Sequence, residues 1–141
     1  MDKPRGLFMR NPDLVPAYLR PGMWGWLLHR VTGLLIVFYL LLHIWVIGRA
    51  AVSPQAFDAI MVTLGTPFWR VMEVGLLACV LYHGANGIRI AIVDMFMPHQ
   101  WAISAQRNAV RWTIIITLIL WVPAALYMLI RTFNPAFNLF T

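Results

Sequence analysis

Several side chains in this sequence are costly where they stand. His29 with Arg30, His43, His83 and the Arg89 and Asp94 pair all lie inside or at the edge of long apolar runs. An ionisable group in such surroundings needs a partner, so each is a candidate functional residue. His83 precedes Asp94 by eleven residues, about 16 Å along a helix. If Asp94 marks the inner edge of an apolar layer, the imidazole hangs well within it. Gly87 lies one turn further on the same face, and its missing side chain leaves room for a flat macrocycle or for a close helix. A histidine hydrogen-bonded to a neighbouring helix is the structural alternative. His43 follows His29 by fourteen residues, about 21 Å along a helix and on nearly the same face. With the second apolar run antiparallel to the first, His83 falls in the inner half of the layer and His43 in the outer half. The two are poorly placed to grip one iron together. A haem on His83 therefore needs its second axial ligand from another chain. His43 is a candidate ligand of a second, outer haem, or an interfacial hydrogen-bonding residue.

Arg30 can snorkel to the interface as a topology anchor. Alternatively, its guanidinium can hold a haem propionate or polarise a quinone oxygen, with His29 beside it in a weaker version of either role. Arg89 and Asp94 are five residues apart, too far round a helix for an ideal pair, and are expected to reach neighbouring chains. Asn86 is expected to stitch helices through its amide, Arg70 and Glu73 to form a surface pair, and Cys79 to fill core space.

The elements that must hold these residues are membrane spans. Hydrophobic residues make up 61% of the 141 and charged residues only 11%, a balance a soluble domain of this size could hardly tolerate. Residues 1–22, with Pro4, Pro12, Pro16 and Pro21, are expected to form a cytoplasmic arm. Lys3, Arg5 and Arg10 are followed by Pro12, Asp13 and Pro16 where a signal peptide needs its apolar stretch, so the N-terminus is expected to stay attached. A three-span domain over 23–133 follows, with helices at about 23–49, 68–96 and 108–131, each long enough for a hydrocarbon layer of about 30 Å. Arg49 to Pro67 is read as an outer connection with room for one short amphipathic turn of helix, and 134–141 as a short outer tail. Gly75, Gly84 and Gly87 in the second span allow close helix contacts, and Pro123 is a tolerated kink in the third.

Eight Lys and Arg residues fall on one side of these spans and three on the other, which places the N-terminus inside and the C-terminus outside. The net charge of +6 is thereby explained by topology and not by nucleic acid. One cysteine, Cys79, builds no disulfide, zinc site or iron-sulfur centre within the chain. Phosphate-binding glycine loops, nucleophile elbows and paired carboxylates are absent from the sequence, which argues against hydrolytic or phosphoryl-transfer chemistry. Three spans also do not divide into the inverted halves of many transporters.

His29-Arg30-Val31-Thr32-Gly33 opens the first span, and Tyr82-His83-Gly84-Ala85-Asn86-Gly87-Ile88-Arg89 followed by Asp94 lies in the second. Together they resemble the cytochrome b membrane-anchor subunit of succinate dehydrogenase, respiratory complex II, in its three-helix large form, over about residues 20–131. The resemblance implies an all-α transmembrane anchor, packed with a second small anchor subunit into a larger helical bundle in a bacterial or archaeal cytoplasmic membrane. A flavoprotein with FAD would oxidise succinate, an iron-sulfur subunit would carry the electrons, and the anchors would hold haem b and bind quinone. The chain would not oxidise succinate by itself, and a quinol:fumarate reductase shares the architecture.

Position by position, the resemblance makes His83 the haem axial ligand, with the opposite histidine on the smaller anchor. It sets Arg30 near the quinone head group and a propionate, His29 beside the propionates, and Asp94 at the cytoplasmic interface. Arg89 would join the propionate or quinone site, and Trp26 and Asp94 its pocket. Two departures stand out. Trp26 occupies the place where some members carry a quinone-contacting serine, and Ile90 follows Arg89 where a histidine is common. His43 resembles the first-helix ligand of two-haem relatives, so the resemblance leaves one haem or two. A haem-free structural anchor that docks a peripheral complex through its basic inner face is the alternative of a different class.

Overall fold

The computed structural model describes residues 21–96 and 103–134. The described residues form four helices and no strand: α1 (Pro21–Val52), α2 (Pro54–Leu64), α3 (Pro67–Phe96) and α4 (Ile103–Phe133). Three of the four open on proline, which fits a first helical position because its missing N–H would have no helical partner there. Pro54 also disfavours a helical Ser53. Ser53 is extended at φ −167° and ψ 155°, and its hydroxyl accepts from the Ala56 N–H. One residue thus ends α1 and caps α2.

The connection between the first two spans carries more helix than expected. α2 is 11 residues long, not a single turn, and α1 runs through Arg49 to Val52. The cause is local. The Ser53 cap and Pro54 start the helix, and Ala56, Phe57, Ile60 and Leu64 recur at helical spacing and are half-buried. Most of the arm at 1–22, the connection around Pro98 and the tail at 134–141 lie outside the described residues.

α1, α3 and α4 are long and apolar enough to cross a membrane, over Gly22–Val52, Pro67–Phe96 and Arg107–Phe133. α3 and α4 share the largest contact and α1 leans on both. At one end Gly25 lets the helices approach closely. A Cβ there would meet Val110 Cγ2 at 3.1 Å, and the Tyr82 hydroxyl donates to the Gly25 carbonyl at 3.1 Å. Toward the other end Trp121 Nε1 donates to the Val74 carbonyl at 2.9 Å, clasping α4 to α3. The interior is small and partly polar, with Thr32, Asn86, Thr113 and Thr117 buried beside Val46, Val74, Tyr82, Val110 and Ala125. Thr113 and Thr117 bond back to carbonyls of their own helix. That arrangement satisfies a hydroxyl where no water is at hand.

Candidate functional site

The site forms where α1 crosses α3. His29, Thr32 and Gly33 lie at i, i+3 and i+4 on one face of α1, and His83 and Gly87 share a face of α3. The two imidazoles stack, with ring centroids 4.0 Å apart and planes within 5°. His83 Nδ1 lies 3.0 Å from the His29 carbonyl and 3.4 Å from Thr32 Oγ1. A carbonyl only accepts, so Nδ1 is the protonated nitrogen and donates to it. The Thr32 hydroxyl donates to the Leu28 carbonyl at 2.7 Å, which leaves its oxygen as a second acceptor. The other nitrogen, His83 Nε2, has no hydrogen-bond partner among the described residues. With hydrogen on Nδ1, Nε2 presents the lone pair, the arrangement that backbone carbonyls impose on metal-bound histidines.

Glycine makes the crossing possible. A Cβ on Gly33 would lie 2.9 Å from His83 Cε1, and one on Gly87 would lie 3.6 Å from His29 Cε1. The room beside Gly87, read from sequence as space for a macrocycle or a close helix, is taken by the His29 ring. Gly75 and Gly84, expected to admit neighbouring helices, have nothing within 4 Å. Any helix they admit lies outside the described residues.

Face-to-face stacking has a chemical consequence. Axial ligands meet an iron end-on from opposite sides, so His29 and His83 cannot clamp one iron between them as placed. Nor do the described residues gather three or more His, Cys, Asp or Glu side chains able to hold a bare metal ion. A porphyrin brings four ligands of its own and asks the protein only for axial ones, and His83 Nε2 fits that demand.

The remaining candidates separate. Arg30 is exposed on α1, its guanidinium carbon 4.0 Å from the centre of the Trp26 ring. His43 is exposed further along α1, with Nδ1 3.4 Å from the Tyr39 hydroxyl. Arg89 is half-buried and Asp94 exposed. They form no ion pair; the one among the described residues is the expected Arg70–Glu73 contact, at 3.8 Å. Asn86 is fully buried, yet neither its amide nitrogen nor its oxygen has a partner, and the same holds for His29 Nδ1 and Arg89 Nε. The expected stitching bond of Asn86 is therefore not made among the described residues.

Sequence reasoning missed Thr32 and Gly33 as the seat of His83, and the stack itself. The signal was present, since both residues fall on the His29 face by helical spacing.

Comparison with known proteins shows the family of the chain. The family model described as succinate dehydrogenase/fumarate reductase transmembrane subunit matches residues 4–126. The succinate dehydrogenase 2 membrane subunit of Mycobacterium tuberculosis is 43% identical over 76 residues, 54% of this chain and 56% of that protein. The succinate dehydrogenase hydrophobic membrane anchor subunit of Halobacterium salinarum is 39% identical over 75 residues, 52% of this chain and 58% of that protein. The matched stretch thus spans little more than half the length of either relative. With three apolar helices of spanning length and a family match over most of its residues, the chain belongs to the succinate dehydrogenase/fumarate reductase transmembrane subunits, and is a multi-pass membrane protein.

Proposed function

We propose that the chain is a membrane anchor of a succinate:quinone oxidoreductase that holds haem b through His83 Nε2 and helps to form a quinone site at the inner end of α1. The observation that carries this reading is the bond from His83 Nδ1 to the His29 carbonyl, at 3.0 Å. It fixes the tautomer and ring direction that axial ligation needs. Haem b, when bound, supplies a one-electron carrier between the iron-sulfur subunit and quinone. The opposing histidine comes from a second small anchor, since His29 is stacked and not opposed. A flavoprotein and an iron-sulfur subunit complete the complex on the cytoplasmic side. His29, Arg30 and Arg89 offer donors to propionates or to a quinone oxygen, and Trp26 and Asp94 lie on the same end of the bundle. Operation as a quinol:fumarate reductase would use the same residues.

A second reading has an observation of its own. His83 finds a carbonyl, a hydroxyl and a stacking partner within its own chain, which is also how a purely structural interhelical histidine behaves. The readings separate on haem counted per copy of the chain in the purified complex, by pyridine haemochrome. His83→Ala is expected to lose haem, whereas Arg30→Ala keeps it and slows quinone reduction. An unchanged haem spectrum in the His83→Ala complex sinks the ligand assignment. A haem-free wild-type complex makes the chain a structural anchor, and a count of two brings in His43 as the outer ligand.

A further inference from the structure

Arg30 is exposed, and its interaction with Trp26 four residues earlier is the one it makes among the described residues. We propose that Trp26 positions Arg30 for quinone, holding the guanidinium by its aromatic face while leaving every N–H free. The proposal rests on the reading of Arg30 as a quinone-site residue and adds what aims it.

The argument turns on what kind of partner an arginine can keep. A carboxylate or a hydroxyl occupies some of the five N–H donors, and a carboxylate also cancels the charge. An indole face does neither. It attracts the cation electrostatically within about 6 Å of the ring centre, and the distance here is 4.0 Å. Being one turn apart on the same helix face, the two side chains need no third element to meet. The guanidinium is thus restrained and partly compensated in apolar surroundings, with its hydrogen-bonding edge unspent for a carbonyl oxygen.

The molecule holds its own control. Arg49 lies 4.6 Å from the Trp45 ring at the far end of the same helix, again one turn apart. The separation of Trp26 and Trp45 along α1 is about 28 Å, close to the thickness of the hydrocarbon layer. A generic interfacial anchor would show the same behaviour at both ends, whereas a positioning role belongs to the Trp26 end alone.

The test uses the intact complex with mono-, di-, tri- and tetrafluorotryptophan introduced at position 26, and the same series at position 45. Fluorine drains the ring face while nearly keeping its shape. Quinone Kd and KM are expected to rise stepwise with fluorination at position 26, by roughly 2- to 30-fold over the series, with haem content unchanged. No trend is expected at position 45. A flat series at position 26, or equal trends at both positions, overturns the positioning role. Arg30→Ala is measured alongside: if it leaves quinone kinetics untouched, the quinone reading of Arg30 falls, independently of Trp26.

Discussion

The position of His83 is decided by neighbours without functional groups of their own. Gly33 leaves the space the ring occupies, and a Cβ there would stand 2.9 Å from Cε1, well inside contact distance. Gly33→Ala is therefore expected to push the ring off its 3.0 Å bond to the His29 carbonyl and to cost about 1–3 kcal/mol, the usual range for overpacking. A lowered Tm together with a changed electron paramagnetic resonance signal from the proposed haem would register both effects. Gly87→Ala is the matched control. Its Cβ would lie at an ordinary 3.6 Å from His29 Cε1, so the signal and Tm should stay near wild type. Equal damage from both substitutions would show that the crossing of α1 and α3, and not the seat of His83, is what glycine protects. The histidines themselves were legible in the sequence, because an imidazole in an apolar run is conspicuous. Their mutual stack was not, since it depends on how far α1 is rotated toward α3.

At the scale of the element, helix ends were readable where proline and a capping residue coincide. Pro54 and Ser53 define the start of α2, and the Ser53 hydroxyl accepts from the Ala56 N–H at 3.1 Å. Ser53→Ala is expected to remove about 1 kcal/mol of cap stability. Amide hydrogen exchange in the first turn of α2 should then quicken about five-fold, with α3 unchanged; unaltered exchange would mean that packing on α1 alone holds the helix. The length of α2 escaped the sequence reading because Gln55 and Asp58 interrupt the apolar pattern without breaking helical spacing. The clasp from Trp121 to the Val74 carbonyl was equally hidden, since indole donors seek any free acceptor and the backbone offers many.

For the whole molecule, burial within the chain is slight. Only 6, 11 and 17% of the apolar windows of α1, α3 and α4 are covered. Most of their side chains therefore face lipid or another subunit, and the basic residues are left to set orientation. With Cys79 replaced by Ser, Gln55→Cys and Asn108→Cys provide reporters near opposite ends of the spans. A membrane-impermeant maleimide applied to intact cells is expected to label position 55 and spare position 108. The reverse pattern would invert the proposed topology and move the proposed quinone site to the outer face. The same slight burial predicts that the chain separates poorly from its partners. Extraction of α1, α3 and α4 without a second anchor should give aggregated material in size-exclusion chromatography, whereas the intact complex runs as one species.

Composition and spacing alone determined that this chain is a helical membrane protein with three spans, because apolar length and the cost of buried charge are properties of the chain itself. They also marked His83, His43, Arg30 and Arg89 as residues needing a reason to be where they are. Only the tertiary structure decided which of them meet. It set His29 against His83 face to face, left Arg89 and Asp94 apart, and put the Arg30 guanidinium over Trp26. It also left Asn86 buried without a bond. Helical periodicity fixes which residues share a face, but helix crossing and rotation are collective outcomes of packing. In this bundle Gly25 and Gly33 leave the space into which Val110 and the His83 ring pack.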